Sequence, residues 1–505
     1  MDEQLTGSAP KALGRRAFLK TAAAASLATV LAACGGGAAP ASAPASSAAA
    51  KPAGSAPASA AASAKPAGSA SAKPAASASA KPAASGKPAA SSAGAFDTNR
   101  TFAGSLSIIQ WSHFVPAYDT QYFDNWAKDW GSKHKVDVKV DHIALADLPA
   151  RSAAEVAAKS GHDIFGWFAQ GGPRLFEKDL VDVSDVVNAL IAKNGPYIKA
   201  AEDLCKVGNA WRGVPDHYVP FLSLFRKDVM DKVGFTKGKL ETWDDLLEFG
   251  TKAKAAGTPV GTALSDTSDG QMTWRSLMWS YGAFLTDDSG KQVKLDSPEM
   301  RQVLEYAKKL YTQAMTPEVL SWQDVSNNQY LQSGKGAWIY NPISAIRSIE
   351  DDKSATAQEL AKNILIGQPL AGPKGQHMAP QWVIHGIWSW SKNVDAAKQF
   401  LYDHKAEFEP GFRASKGYNM PFEQKFSQPP MPVLSEDPKY AVIQGVEKTV
   451  HVPGYPGPNT VAANQALDNN VITVMFNDYA TGKMSVDAAI EKAVKAAKAI
   501  YDKAG

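Results

Sequence analysis

The run LSIIQW at 106–111 decides the fold class, because a short apolar run of this kind is typical of a buried strand. Two further strand-like runs follow, VDVKV at 136–140 and IFGWF at 164–168. Helices are predicted between them, over 122–131 and over 147–159, the second capped by its first residue. Strands separated by single helices favour an α/β fold with a parallel sheet.

Further helices are predicted along the rest of the chain. The clearest covers 242–256, with Thr242 as N-cap, Asp245 at the third helical position and Gly257 after the last turn. The others are predicted over 298–314, 328–331, 394–407 and 485–503. The folded part therefore extends from about residue 106 to about residue 502. No stretch after residue 95 approaches the roughly 20 apolar residues of a membrane-spanning helix.

Composition excludes several classes of protein. The chain has 505 residues, with 53 Lys and Arg against 50 Asp and Glu, so its formal net charge is +3. This balance excludes a nucleic-acid binder driven by bulk charge. The two cysteines, Cys34 and Cys205, exclude a disulfide scaffold and a cysteine-based zinc site. Cys205 is predicted to be a buried free thiol rather than a nucleophile.

Residues 1–34 are predicted to be an export signal. GRRAFLK at 14–20 places two arginines before an apolar stretch, 21–33, that is too short to span a bilayer. The arginine pair indicates the twin-arginine route. LAAC at 31–34 resembles the lipobox of bacterial lipoproteins, so Cys34 is the predicted lipidation site. Under the alternative interpretation the arginines are ordinary signal charges and Cys34 is incidental.

Residues 35–100 are predicted to be a disordered tether. Up to about residue 94 they are almost entirely Ala, Ser, Pro, Gly and Lys, which cannot bury enough surface to offset the entropy of ordering. Some 60 such residues span roughly 45 Å as a flexible coil and about 190 Å when fully extended. A spacer above the membrane and a tolerated low-complexity insert both fit this composition.

Several short motifs occur in a fixed order along the folded part. They are WRGVP at 211–215, FRKD at 225–228, ETWDDL at 241–246, GKGAW at 334–338, PLAGPKG at 369–375, WSKN at 390–393 and TGKMS at 481–485. In this order they resemble the motifs of family-1 extracellular solute-binding proteins, the maltose-binding-like receptors of ABC importers. Each motif alone is weak, but their common order over about 390 residues is specific.

The resemblance implies a two-lobed periplasmic-binding-protein fold of type II, in which discontinuous lobes surround a central cleft. Lobe one is expected at 105–216 with 362–415, and lobe two at 220–358 with 418–505. The protein would be a monomeric, non-catalytic receptor without cofactor or metal. It would capture a solute, most favourably a carbohydrate, and deliver it to ABC permease subunits. Its expected location is the outer face of the cytoplasmic membrane, held by a lipid anchor, with no nucleic-acid partner.

Aromatic and polar residues after the predicted strands are the candidate ligand-binding residues, because sugar rings stack on flat side chains while their hydroxyls bond to polar neighbours. The candidates are Trp111, His113, Trp167, Tyr218, Trp274, Tyr340, Asn341 and Trp382. The alternative for each tryptophan is a place in the core. Trp338, Trp388 and Trp390 lie within predicted strands and are expected in the core.

Two other solute classes stay open on the same scaffold. A polyamine needs acidic groups framed by aromatic rings, for which Asp119, Asp216 and Asp266 are candidates. An organic anion needs a bidentate arginine, for which Arg212 and Arg275 are candidates.

A cell-surface glycoside hydrolase is the remote alternative from another class. The sequence has no Gly-x-Ser-x-Gly elbow, no His-Glu-x-x-His and no phosphate loop. No two histidines have His-x-x-x-His spacing, which argues against a zinc cluster. Convergence of His113, His142 and His385 in space is a minor alternative.

Overall fold

The structure is a computed structural model that describes residues 96–169 and 171–504. These residues belong to one compact unit, Lys87–Gly505. The predicted signal, the lipidation site Cys34 and nearly all of the predicted tether lie outside the described residues. Among the described helices, none has both the length and the apolar character needed to cross a bilayer.

The strands form two larger sheets and two short hairpins. In chain order they are β1 (Ser105–Trp111), β2 (Asp137–Ile143), β3 (Ile164–Phe168), β4 (Lys206–Val207), β5 (Ala210–Trp211), β6 (Val214–Val219), β7 (Leu222–Arg226), β8 (Val260–Gly261), β9 (Trp338–Asn341), β10 (Ile364–Gly367), β11 (Ala371–Gly372), β12 (Gly375–Gln376) and β13 (Gln381–Ile387).

Helices cover the faces of both larger sheets. They are α1 (Asp124–His134), α2 (Leu148–Ala158), α3 (Gly172–Leu175), α4 (Ser184–Asn194), α5 (Lys199–Cys205), α6 (Lys227–Lys232), α7 (Trp243–Ala255), α8 (Ser268–Ser280), α9 (Pro298–Ala314), α10 (Ser326–Gln332), α11 (Ser344–Asp351), α12 (Ala355–Asn363), α13 (Val394–Ala406), α14 (Phe408–Ala414), α15 (Pro438–Ala441), α16 (Val461–Asp468), α17 (Val471–Ala480) and α18 (Val486–Ala504). A π-helix, Tyr118–Phe123, leads into α1, and single 3-10 turns lie at Leu145–Asp147, Glu177–Asp179, Pro317–Leu320 and Val446–Thr449.

The first sheet has the strand order β2-β1-β3-β13-β6. β1 pairs in parallel with β2 and β3, as the sequence predicts. β13 is antiparallel to β3 and to β6, so the sheet is mixed rather than parallel. The direction reverses because the chain reaches β13 from the second sheet and not through a single-helix crossover. Every residue of β3 and β13 is buried, which places these strands at the centre of the core.

The second sheet has the order β10-β7-β9-β8, with β7 antiparallel to both its neighbours and β8 parallel to β9. We call the first sheet with its helices lobe one, and the second sheet with its helices lobe two. The predicted α/β fold with two lobes is confirmed. The range 362–415 is expected in lobe one, whereas β10 pairs with β7 and therefore lies in lobe two. The remaining lobe boundaries stay a prediction.

The chain crosses between the sheets through a very short link. β6 ends at Val219 and β7 begins at Leu222, so only Pro220 and Phe221 separate the two sheets. A second crossing runs from β10 to β13, and a third leads from α14 towards α16. These links determine which strand ends of the two sheets face each other.

Two helix starts illustrate how local sequence sets the elements. At α7, the Thr242 side chain accepts from the Asp245 backbone N–H, and the Asp245 carboxylate accepts from the Thr242 N–H. This capping box is the predicted one and contributes about 1 kcal/mol. At α2 the predicted cap is wrong in its detail, because Asp147 makes no side-chain cap hydrogen bond.

Charged side chains are buried together between β6 and the end of α13. Lys405 Nζ donates to Asp216 Oδ1, and His217 Nδ1 lies 2.9 Å from the same oxygen. His385 Nδ1 lies 3.0 Å from Asp216 Oδ2. Burial opposes ionisation of Asp216, but Lys405 and the two histidines outweigh it and hold the pKa of Asp216 well below its usual range. The Asp216 carboxylate therefore links β6 to α13 and to β13 in the interior of lobe one.

Glu423 lies beside this cluster and gives the fold a predicted pH dependence. Burial, aided by the Asp216 charge and opposed by Lys405, raises the pKa of Glu423 from 4.5 to about 7. A carboxyl that binds its proton more tightly when folded costs stability as pH rises from about 4.5 to 7, and the full cost persists above that. We expect Glu423→Gln to raise the free energy of unfolding by about 2 kcal/mol at pH 8. Urea denaturation at pH 4 should show little difference from the wild type. An equal change at both pH values would contradict this account.

Candidate functional site

A cavity of about 290 Å³ lies between the two lobes. It opens beyond the carboxyl ends of β2 and β3 in lobe one and of β8 in lobe two. Ligands in α/β proteins bind at this edge, where loops diverge from the strand ends. The residues that line the cavity are Leu145, Ala146, Pro149, Phe168, Ala169, Asp266, Thr267, Ser268, Gln271, Met272, Asp324, Leu467, Asp468 and Asn470.

The start of α8 forms the main polar wall of this cavity. The Thr267 side chain caps the helix by accepting from the Gly270 N–H at 3.1 Å. Asp324, which precedes α10, accepts from the Asp269 N–H at 3.4 Å. A carboxylate at a helix N-terminus is stabilised by the helix dipole, so this wall holds its acidic groups in place.

Behind the wall, buried amides and Asp269 form a continuous hydrogen-bond network. Gln381, the first residue of β13, donates to Ser268 Oγ at 2.9 Å and to Asp269 Oδ1 at 3.1 Å. Asn327 donates to the other Asp269 oxygen and, at 2.6 Å, to Asn341 Oδ1. The network joins β9, α8, α10 and the chain entering β13, so it fixes the cavity floor relative to both sheets.

The lobe-one wall is apolar and rests on an aromatic stack. Phe168, at the end of β3, faces the cavity. Behind it lies Trp111, whose ring centroid is 4.3 Å from that of Phe168 and 4.7 Å from that of His113. Tyr418 packs on the same group. Trp111 therefore orients Phe168 and is itself 3% exposed.

Three carboxyl groups in or directly behind the cavity wall, Asp468, Asp324 and Asp269, have raised pKa values. Burial raises the pKa of Asp468 to about 6, against the opposing effect of Arg275. Burial also raises the pKa of Asp324. Burial and then the Asp324 charge raise the pKa of Asp269 well above its usual range. Burial therefore outweighs the positive charge of Arg275 at Asp468, and no lysine or arginine is among the described residues that line the cavity.

Residues 125–404, more than half of the chain, match the family model described as bacterial extracellular solute-binding protein. The chain belongs to this family. Members of this family are binding proteins and not enzymes, which agrees with the non-catalytic function expected from the sequence. The resemblance carried by the motif order is therefore confirmed at the level of the family.

One relative of this solute-binding protein is the arabinooligosaccharide-binding protein of Halalkalibacterium halodurans. The two are 25% identical over 273 residues, which make up 54% of this chain and 57% of the relative. The match thus spans little more than half the length of that relative.

Solved structures of the same fold include maltose-bound MalE3 of T. maritima, with a TM-score of 0.67 at 18% identity over 79% of this chain and 100% of that chain. Another is a sugar transporter from Arthrobacter chlorophenolicus A6 with bound laminaribiose, with a TM-score of 0.65 at 17% identity over 78% of this chain and 98% of that chain. At these identities the likeness shows the two-lobed fold alone.

The candidate ligand-binding residues of the solute-binding protein are all buried, and none is among the residues lining the cavity. These are Trp111, His113, Trp167, Tyr218, Trp274, Tyr340, Asn341 and Trp382. Trp274 Nε1 donates to Ala263 O at 2.9 Å, and Trp167 packs beneath Gly172. Asn341 belongs to the network behind the cavity wall. Direct contact between these side chains and a solute stays a prediction.

The residues considered for other ligands lie mostly away from the cavity. Asp216 is engaged by Lys405, and Asp119 accepts from the His113 N–H at 2.7 Å. Only Asp266 of that acidic group lines the cavity. Arg212 donates to Leu180 O at 3.2 Å and so supports the backbone.

The three histidines considered for zinc have separate partners in the structure. His113 Nε2 bonds Asn419, His142 Nε2 bonds Asp124, and His385 contacts Asp216. Across residues 96–169 and 171–504, no three His, Cys, Asp or Glu side chains are placed to hold a metal ion. Cys205 is a buried free thiol, as predicted, and burial raises its pKa well above the usual range.

The polar cavity residues Asp324, Asp468, Gln271 and Asn470 are absent from the predicted site. A search for aromatic residues after strands does not find these four polar residues, because they lie at helix termini and in loops between helices. The segment DTSDG at 266–270 carries a usable signal, since a polar cluster between a short strand and a helix start marks a strand-end loop.

Lobe one and lobe two touch at Gly171 and Asn464. Gly171, before α3, has φ −78°, a conformation open to any residue. A Cβ at this position would lie 2.5 Å from the Asn464 Cβ on α16. Next to this contact, Asn459 Nδ2 donates to Asp203 O on α5 at 2.9 Å. The absence of a side chain at Gly171 therefore permits the lobes to approach this closely.

We expect Gly171→Ala to hold the lobes further apart, because its methyl group would collide with Asn464 while the local backbone remains unstrained. Small-angle X-ray scattering should give a larger radius of gyration than for the wild type. Adding Asn464→Gly removes the colliding Cβ and should restore the wild-type value. An unchanged radius in the single variant would show that this contact does not limit closure.

Proposed function

We propose that this protein is the extracytoplasmic receptor of an ABC importer and that it captures a carbohydrate between its lobes. The observation that carries the proposal is the interlobe cavity, whose wall combines carboxylate, hydroxyl and amide groups with one flat ring, Phe168. Sugar hydroxyls bond to such groups, and a sugar ring packs its C–H face on an aromatic side chain. The names of the related proteins, which include arabinooligosaccharide, maltose and laminaribiose binders, support the same solute class.

Capture and delivery follow from the geometry of the lobes. The short link at Pro220 and Phe221 lets the lobes close about a hinge over a bound solute. The closed pair of lobes presents one continuous surface, which is the form that membrane permease subunits would recognise. The protein acts as a monomer and carries out no chemistry on its cargo.

A thermal-shift screen with neutral sugars, polyamines and organic acids tests the solute class. A solute at a hundredfold excess over its Kd stabilises the folded protein by about 2.7 kcal/mol, so a specific sugar should raise the melting temperature clearly. Stabilisation by organic acids alone would contradict the carbohydrate assignment. Product formation from an oligosaccharide, followed by chromatography, would overturn the receptor function itself.

We further propose that the receptor is exported by the twin-arginine route and anchored through diacylglycerol on Cys34. The pair Arg15-Arg16 and the LAAC run at 31–34 support this proposal. The extracellular placement of the family agrees with it. Two acyl chains give firm membrane attachment, and the segment 35–100 would hold the lobes above the surface.

Metabolic labelling with a fatty-acid analogue tests the anchor. We expect the wild-type chain to be labelled and to sediment with membranes, and Cys34→Ala to lose the label and enter the soluble fraction. Cys205→Ala is the matched control, because its thiol is buried, and it should keep both the label and the membrane location. Label retained in the Cys34 variant would refute the assignment.

A further inference from the structure

The charged side chains that line the interlobe cavity are all acidic. Asp266 precedes α8, Asp324 precedes α10 and Asp468 ends α16, so the three carboxylates come from separate segments. No lysine or arginine is among the described residues that line the cavity. The fold thus brings three negative groups to one small space without a positive partner in the wall.

The cavity is a ligand site on grounds independent of its charge, namely its position beyond the strand ends and the family to which the chain belongs. A further feature concerns the type of ligand. The amide oxygen of Gln381 is buried without a donor among the described residues, and its amide nitrogen bonds Ser268, which lines the cavity. Gln381 lies behind the cavity wall, and the acceptors of the wall itself include the carboxylates of Asp266, Asp324 and Asp468, which suit a solute rich in N–H and O–H donors.

An anionic solute finds no suitable place in this cavity. The usual anion site on such a wall is the N-terminus of α8, where backbone N–H groups are free to bind. Here the Gly270 N–H is bonded to Thr267, and the Asp269 N–H faces Asp324. A carboxylate on a solute would therefore meet a carboxylate of the protein.

The basic residue of α8 does not reverse this balance. Arg275 is 4% exposed and donates to Gln271 Oε1, and Gln271 rather than Arg275 lines the cavity. Its charge acts on Asp468, whose pKa nevertheless stays raised at about 6. One buried guanidinium behind three lining carboxyl groups leaves the described residues of the cavity wall itself without a cation.

We propose that the solute is a carbohydrate bearing a primary amine, with its ammonium group against Asp324 and Asp468. The inference rests on the proposed carbohydrate function and narrows its solute class. An ammonium supplies three donors and one positive charge, and an opposite charge within a few ångströms stabilises both carboxylates. The ring hydroxyls bond to Asp266, Ser268 and Gln271, and the sugar face packs on Phe168.

Isothermal titration calorimetry with matched disaccharides tests this preference. Each set shares one linkage, α-1,4, β-1,4 or β-1,3, and contains a neutral member, a member with a free amine and a member with a carboxylate. In the preferred linkage, we expect the amine to bind at least about tenfold more tightly than the neutral sugar at low salt. Its advantage should shrink at 0.5 M NaCl, because salt screens charge interactions. The carboxylate member should not bind.

Variants that remove one carboxylate test whether the preference for the amine-bearing sugar arises in the cavity. Asp468→Asn should weaken binding of the amine member more than binding of the neutral sugar, so that the advantage of the amine falls by about fivefold. Asp324→Asn is a second test, should either variant fold poorly. Glu248→Gln, an exposed carboxylate on α7 paired with Lys252, is the control and should change neither affinity.

The outcomes separate this inference from the proposed function. Equal or tighter binding of the neutral sugar overturns the inference and leaves the carbohydrate receptor intact, as does tight binding of the carboxylate member. Binding of spermidine above every sugar overturns the carbohydrate function as well. A complete lack of binding by the whole panel overturns both.

Discussion

The shortness of the link between the two sheets is the constraint on which the structure depends. Because only Pro220 and Phe221 separate β6 from β7, the first residue of β7 must lie close to the last residue of β6. The network of Gln381, Asp269, Asn327 and Asn341 lies where the second crossing, from β10 to β13, enters lobe one. The cavity lies in the interlobe space beyond the strand ends, next to these links.

The buried polar groups divide into two kinds with different roles. Around Asp216, Lys405 and the histidines satisfy the carboxylate from within lobe one, so this cluster is internally balanced. Around the cavity, burial raises the pKa values of Asp324 and Asp468, and the charge of Arg275 offsets only part of this effect at Asp468. Removal of one partner from a balanced buried cluster destabilises a fold, whereas carboxyl groups with raised pKa values next to open space are typical of a binding surface.

Local sequence predicts the elements well where the signal is contained within a few residues. The Thr242 and Asp245 capping box and the strands β1 to β3 belong to this class, because periodicity and caps act over one or two turns. Local sequence does not predict that β13 is antiparallel to β3, because this direction depends on the chain entering β13 from the second sheet. The placement of β10 is not predicted by local sequence for the same reason.

The site is less accessible to sequence reasoning than the fold. A tryptophan after a strand can face the cleft or the core, and nothing local distinguishes the two. Trp111 turns inward because Phe168, from another strand, occupies the cavity face. Asp468 and Asp324 are 144 residues apart in the chain and line the same cavity only because of the tertiary fold. Family resemblance located the cleft, but side-chain identities within it required the three-dimensional arrangement.

The buried thiol of Cys205 has a practical consequence for measuring solute capture. A chain that begins after Cys34 has Cys205 as its single cysteine, and this thiol is buried with its pKa raised well above the usual range. Maleimide dyes react with accessible thiolates, so a cysteine introduced at the rim of the cleft would be labelled selectively without removing the native one. The folded part is thus a ready scaffold for a fluorescent reporter of its own cargo.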